Sequence, residues 1–368
     1  MPEKPRALGA GLVALDVIIP DAHKPDRWLL HAGGSCGNVT TILSYMGWDA
    51  APIARLDSSA ETRTLKGDLE TWQVDMKWVE EDPTGSTPII LQVDHNPGTA
   101  AARHKFHWRC LDCSGWYPRF KPFKKTVVPR VEAEETNPAV YYFDRAFPAS
   151  IALAKSMRDR GAVIVFEPNG VRDEAQFHAA LEVADVVKYS HERMAPQSDL
   201  LTELGAWLQV ETMGRDGLRF LHNENGWEKL EALSAPYVVD TAGAGDWCTA
   251  VLVDRCFRRG RKALPSLSSS KIRTALREGQ AYAALNCAYA GARGMMYGLT
   301  KEQLSQYTKA LLEGKAEPDQ FQVKSLETVS AAYCGSCRAQ PPTSVPATST
   351  SPREVKRPAH SAPRSRTW

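Results

Sequence analysis

The stretch Val238-Val239-Asp240-Thr241-Ala242-Gly243-Ala244-Gly245-Asp246 decides how this chain is read. A β-branched pair leads into a turn of small residues, and the turn ends on Asp246 just before the apolar run 247–253. The pattern is strand, glycine-rich loop, buried helix. The first N–H groups of a helix have no intrahelical partner, and the aligned peptide dipoles add partial positive charge there. A glycine-lined approach to such an end is an anion site, so a phosphoryl group can sit against Gly243, Ala244 and Gly245 without side-chain interference. Asp246 has two readings. It caps the helix, as Asp often does, or it is a carboxylate held beside phosphate to take the proton of an attacking hydroxyl. No G-x-x-x-x-G-K-[ST] run occurs, which disfavours an ordinary P-loop.

With 368 residues and 43% apolar composition the chain can bury a substantial core. One α/β domain of about 300 residues plus extras is the simplest division. The net charge of +2 is unevenly spread: from Arg338 onward there are six Lys or Arg and one Glu, so the rest nets −3. That mildly acidic remainder offers no nucleic-acid surface. The apolar N-terminal run 7–20 is interrupted by Asp16 and lacks a small-residue cleavage site, so it reads as a first strand rather than a signal peptide. No eighteen-residue uncharged apolar stretch exists, which excludes a helical membrane span. A cytoplasmic setting follows, with the eight cysteines reduced.

Outward from the turn, three stretches carry polar chemistry. Residues 9–19 read as one buried strand entering a loop, with Asp16 its single charge, either accepting backbone amides or holding a ligand. His31-Ala32-Gly33-Gly34-Ser35-Cys36-Gly37-Asn38 precedes a helix expected over 39–46. Paired glycines let a ligand approach the backbone, and Asn38 offers donor and acceptor to a diol, or else caps the helix. Thr212-Met213-Gly214-Arg215-Asp216-Gly217 is a turn between strand-like segments. From residue 139 strands expected at 139–144, 162–167, 183–188, 207–212 and 218–221 alternate with helices at 148–158 and 173–181, and 271–289 is helical. Alternation of this kind predicts a parallel sheet covered on both faces, with ligands at the carboxyl ends of its strands. Glu167-Pro168-Asn169 and Lys188-Tyr189-Ser190-His191-Glu192 fall there.

These motifs together resemble the ribokinase-like (PfkB) carbohydrate kinases over residues 7–298. Asp-Thr-Ala-Gly-Ala-Gly-Asp resembles their C-terminal signature, Gly33-Gly34 with Asn38 their N-terminal one, Gly11 with Asp16 their G-x-x-x-x-D, and Thr212, Gly214 and Gly217 their T-x-G-x-x-G. The resemblance implies a three-layer sandwich, a mostly parallel central sheet with helices on both faces, and a small β-lid with an insertion within about 71–130 of a domain spanning 1–330. It implies ATP and Mg²⁺, with Asp246 as base, the amides of Gly243, Ala244 and Gly245 as anion hole, and Asp16, Gly33, Gly34 and Asn38 on the sugar. It places Thr212, Gly214 and Gly217 beside the nucleotide and a monovalent cation at Asp240. Two departures stand out. The family's Mg²⁺-organising Glu follows Asn or Ser by three residues, whereas here Glu192 follows Ser190 by two and Arg193 holds the expected place. Glu167 stands where Asp is common.

Cys110-x-x-Cys113 and Cys334-x-x-Cys337 have the spacing by which two thiolates face one tetrahedral metal, and together they make a Cys₄ zinc set. Free thiols or a redox pair are the alternatives. The basic aromatic run 108–125 reads as a solvated loop, residues 331–337 as a zinc-knuckle segment, and 338–368, with six prolines, as a disordered basic tail. The function expected is transfer of the ATP γ-phosphoryl to a hydroxyl of a sugar-like substrate, by a carbohydrate kinase acting without membrane or nucleic acid, alone or as a homodimer. A nucleoside kinase of the same fold, or a weakly catalytic kinase-fold protein serving as a zinc-dependent interaction module, stands as the alternative.

Overall fold

The computed structural model describes residues 4–316 apart from 25, 26, 100, 101, 202–204, 224, 225 and 236. The chain divides into Met1–Ala331 and Ala332–Trp368. The second unit, which holds Cys334, Cys337 and the tail expected over 338–368, lies outside the described residues.

In chain order, β1 (Arg6–Ala10) is followed by β2 (Ala14–Ile19), β3 (Leu29–Gly33), α1 (Ser35–Tyr45), β4 (Asp49–Leu56), α2 (Ala60–Thr71) and β5 (Val79–Glu81). A hairpin of β6 (Ile89–His95) and β7 (Arg103–His107) precedes α3 (Val128–Glu134). The alternating part comprises β8 (Val140–Phe143), α4 (Pro148–Asp159), β9 (Val163–Phe166), α5 (Glu174–Val183), β10 (Val186–Ser190), α6 (His191–Met194) and β11 (Leu208–Thr212). A second hairpin, β12 (Leu218–His222) and β13 (Trp227–Leu230), leads to α7 (Ala244–Cys256), α8 (Ser269–Asn286), α9 (Gly294–Gly298) and α10 (Lys301–Leu312).

The main sheet has the order β13-β12-β11-β10-β9-β8-β1-β4-β5. Pairing is parallel from β11 through β5, and only β12 and β13 run antiparallel. Parallel strands covered on both sides bury every residue, and β8 does so along its whole length. On one face Tyr141, Phe143, Ile164 and Phe166 pack with Val131 of α3, Leu153 of α4 and Phe177 of α5. The other face carries α1, against which Gly9 of β1 lies so closely that a Cβ would sit 2.5 Å from Thr40 Cγ2. The result is the expected α/β sandwich of three layers. Strand order reverses between β1 and β8, and in such sheets the crevice at that reversal, beyond the carboxyl ends of the strands, takes the ligand.

The lid is a four-stranded sheet of order β3-β2-β6-β7. Of its strands, β6 and β7 fall within the 71–130 region where the resemblance implies a lid, and β2 and β3, from the N-terminal region, complete the sheet. The single strand expected over 9–19 is accordingly two. Its break follows Gly11, whose missing Cβ leaves room for Asp144, since a methyl there would lie 1.6 Å from Asp144 Oδ1. Asp144 Oδ1 in turn accepts the Leu12 N–H at 2.9 Å, turning the chain out of one sheet into the other. Among the described residues no helix is long and apolar enough to cross a membrane.

Candidate active site

The anion turn is built as the local sequence dictates, with one exception. Val238 and Val239 are not in a strand, because their backbone groups are taken elsewhere: Gly98 N–H donates to the Val238 carbonyl at 2.8 Å and Val239 N–H to that of Cys287 at 2.7 Å. Gly243 is the N-cap of α7 at φ 74°. A Cβ there would stand 2.2 Å from the Ala292 carbonyl oxygen, so only glycine fits. Ala244, Gly245 and Asp246 form the first turn of α7, and the Ala244 N–H makes only a long 3.4 Å contact with the Thr241 carbonyl. Asp246 is therefore not the cap. It lies inside the helix, 8% exposed.

Its side chain meets the N-terminal motif. Asn38 Nδ2 donates to Asp246 Oδ2 at 2.7 Å across 208 residues of sequence. Asn38 is not a cap either: α1 starts earlier than expected, Gly34 is its N-cap at φ 74°, and Asn38 sits in the first turns. Asp16 on β2 lies against Gly33, where a Cβ would be 1.9 Å from its Oδ2, and the Gly34 backbone amide donates to it. Asp16 Oδ1 is buried with no hydrogen-bond partner among the described residues. Burial, then the charge of Glu167, pushes the Asp246 carboxyl up to about 7, against the Asn38 hydrogen bond and the cations Lys188 and Arg193. Burial likewise raises Asp16 to about 7, with Arg293 opposing and Asp246 and Asp240 adding to the shift. Burial thus holds both carboxyls well above the ordinary carboxylate range.

Beneath the turn, Lys188 Nζ donates to Glu167 Oε1 at 2.6 Å and Thr249 Oγ1 to Glu167 Oε2 at 2.6 Å. A Cβ on Gly245 would be 3.6 Å from both Glu167 Oε1 and Lys188 Nζ. Burial alone would drive off the Lys188 proton, but the Glu167 charge and hydrogen bond outweigh it and hold the group above the ordinary lysine range. Removing the cation leaves the part-buried Glu167 carboxylate without its partner. Lys188→Met is expected to lower unfolding free energy by about 3–5 kcal/mol in urea titration, and to raise the pH at which Asp246 ionises.

The four-stranded sheet reaches the same turn. Gln92 Nε2 of β6 donates to Asp240 Oδ2 at 2.6 Å, and His104 Nδ1 of β7 lies 3.1 Å from Asp240 Oδ1. The Gly291 N–H donates to Asp240 Oδ2 at 2.8 Å and the Ala242 N–H to Oδ1 at 2.9 Å, so four groups among the described residues surround this carboxylate. Thr212 ends β11 with its hydroxyl on the Tyr189 carbonyl at 3.2 Å. Gly214 and Gly217 follow at φ 56° and 87°, shaping the turn into β12. Glu192 and Arg193 lie exposed on α6, and Arg193 is the one whose charge reaches Asp246. Cys110 and Cys113 sit on a tight hairpin: Cys110 N–H donates to the Gly115 carbonyl at 2.8 Å, Ser114 N–H to the Cys110 carbonyl at 3.0 Å, and Ser114 is left-handed at φ 58°. Cys110 is buried and Cys113 exposed. Their expected companions Cys334 and Cys337 lie outside the described residues, and within those residues no group of three or more metal-ligating side chains assembles.

No family model matches the sequence, and no curated protein does. Solved structures do match the fold. Aminoimidazole riboside kinase from Salmonella enterica, solved with aminoimidazole riboside and an ATP analog, aligns at 18% identity over 82% of this chain and 99% of its own, with a TM-score of 0.63. Fructokinase from Vibrio cholerae O395, in its fructose, ADP and calcium ion bound form, aligns at 19% identity over 83% and 99%, TM-score 0.62. The chain has a ribokinase-like fold. A nucleoside kinase from Burkholderia thailandensis in complex with inosine shares it, at 16% identity over 83% and 97% with a TM-score of 0.60. Within this ribokinase-like fold the expected residues Asp16, Gly33, Gly34, Asn38, Gly243 and Asp246 come together. Lys188, Gln92, His104 and Arg293 join them without having been expected as site residues. A lysine inside the apolar strand 186–190 and an arginine among small residues at 288–296 were the available signals, because a charge in a buried segment requires a partner.

Proposed function

We propose that the protein is an ATP-dependent phosphotransferase that moves the γ-phosphoryl group to a hydroxyl of a small sugar or sugar-like molecule. The observation that carries this reading is the Asn38–Asp246 hydrogen bond of 2.7 Å, which joins a diol-binding type of residue to a carboxylate in the first turn of a glycine-capped helix. In this mechanism Asp16 and Asn38 hold substrate hydroxyls, Asp246 takes the proton of the attacking hydroxyl, and the amides of Gly243, Ala244 and Gly245 receive the charge of the transferred group. Thr212, Gly214 and Gly217 border the nucleotide.

Mg²⁺ would find its carboxylate in Glu192, which stands exposed on α6 next to Arg193, whose charge reaches Asp246. The ion ordinarily keeps several waters and leans on substrate phosphates, so one neighbouring carboxylate suffices, and Glu192 at the start of α6 would serve through water. When bound, it neutralises charge growing on the β- and γ-phosphates. A monovalent cation at Asp240 would have to displace one of the four groups already around that carboxylate. The Cys-x-x-Cys spacing of Cys110 and Cys113 suits a structural zinc. Elemental analysis of purified protein is expected to find one zinc per chain, lost in Cys110→Ser.

ATP turnover over a panel of sugars, sugar acids and nucleosides tests the function. One sugar-like member is expected to be phosphorylated, and a folded protein inert towards the whole panel rejects the reading. A nucleoside as sole substrate selects the alternative. Because Asp246 and Asp16 are both raised to about 7 and both act ionised, kcat/KM is expected to fall as pH drops through about 7 and to level off above it.

A further inference from the structure

Arg293 lies between α8 and α9, 1% exposed, and its guanidinium joins three elements that carry the site. Nε donates to Asn38 Oδ1 of α1 at 3.2 Å, and Nη2 donates to Asp68 Oδ2 of α2 at 2.7 Å and to the Ala32 carbonyl of β3. Asp68 is itself held by the Tyr297 hydroxyl at 2.8 Å, and the Tyr297 ring stacks on His31 with centroids 4.1 Å apart. Nη1 is buried with no partner among the described residues, as is Asp16 Oδ1.

A guanidinium has donors only. The atom of Asn38 that faces it must therefore be the carbonyl oxygen, and the amide nitrogen is then the end turned to Asp246. Without that constraint the amide can present either end, and its oxygen against an ionised Asp246 is repulsive. We propose that Arg293 is a positioning residue for the phosphoryl transfer, acting through Asn38: it fixes which end of the amide meets Asp246. The inference rests on the kinase reading for its consequence in catalysis, but its structural content does not.

Asp246 is faced by Asn38 of α1, Glu167 after β9, Lys188 of β10 and Arg193 of α6, with Asp16 on the lid side. Losing the Asn38 donor leaves Glu167 and Asp16 opposing its ionisation with less compensation. The test is the carboxyl ¹³C titration of Asp246 in aspartate-labelled protein, assigned with Asp246→Asn, in wild type and Arg293→Met. The midpoint is expected to move up by about one pH unit, with kcat on the panel substrate falling about tenfold and the KM for ATP unchanged. An unchanged midpoint in a variant that melts cooperatively overturns the proposal, because a merely structural role would lower stability and leave the titration alone. If Arg293→Met does not fold, Arg293→Lys gives the same readout, since one ammonium cannot hold Asn38, Asp68 and Ala32 together. Wild type that phosphorylates nothing on the panel rejects the kinase reading, while the titration still decides the placement.

Discussion

Asp246→Asn is expected to lower kcat by about 10³-fold while leaving the dissociation constant of the sugar-like substrate within a few fold. The substitution keeps shape and an acceptor oxygen for Asn38 Nδ2, which donates to Asp246 at 2.7 Å, so the ground-state site persists. What it removes is the capacity to take a proton at the moment of attack. Removing a buried carboxylate whose ionisation burial opposes also leaves stability unchanged or slightly higher above pH 7, where the wild-type group is charged. A loss of activity in this variant cannot then be assigned to unfolding. Isothermal titration with substrate and steady-state kinetics with ATP separate the two effects.

Gly243→Ala is expected to act on both stability and rate. The position has φ 74° and a Cβ would meet the Ala292 carbonyl oxygen at 2.2 Å and Ala292 Cα at 2.5 Å, both backbone atoms that cannot swing away. Left-handed strain and the clash together are expected to cost about 3 kcal/mol of unfolding free energy. Displacing the first turn of α7 by a fraction of an ångström misaims its amides, which lowers kcat by about 10²-fold in the folded fraction. Gly47→Ala is the control: it too is left-handed, at φ 90°, but nothing lies within 4 Å of the added methyl. That variant is expected to lose about 1 kcal/mol and no activity. Equal behaviour of the two glycine variants would remove the anion turn from the account.

The parts of the site legible in the sequence are those whose chemistry is local. Gly243, Ala244, Gly245 and Asp246 announce a helix start open to an anion because glycine spacing and the following apolar run act within one turn. Gly33 and Gly34 before a helix are similarly self-contained. The parts that were not legible depend on what meets across space. Residues 9–19 read as one strand because every member but Asp16 is small or apolar, and only the Asp144 carboxylate, 133 positions after Gly11, turns the chain between two sheets. The lid could not be assembled from residues 71–107 alone, since half of its strands precede α1. Residue type offers Asn38 and Asp246 as caps as well as ligands, and glycines hold both cap positions, which is what leaves the two polar side chains to meet each other. Lys188 and Arg293 are the opposite case. Each is a charge in a buried segment, visible as an anomaly in sequence, but the carboxylate that answers it, Glu167 or Asp68, can be found only in the fold.

The most direct test is single-turnover transfer of labelled γ-phosphate to the panel substrate, measured from pH 6 to pH 9 in wild type and Asp246→Asn. The wild-type rate is expected to fall as pH drops through about 7, the region to which burial lifts Asp246, whereas the variant is expected to be about 10³-fold slower at pH 8 and without that acid limb. A variant that transfers phosphate at the wild-type rate, or that keeps the same acid limb, contradicts Asp246 as the proton acceptor.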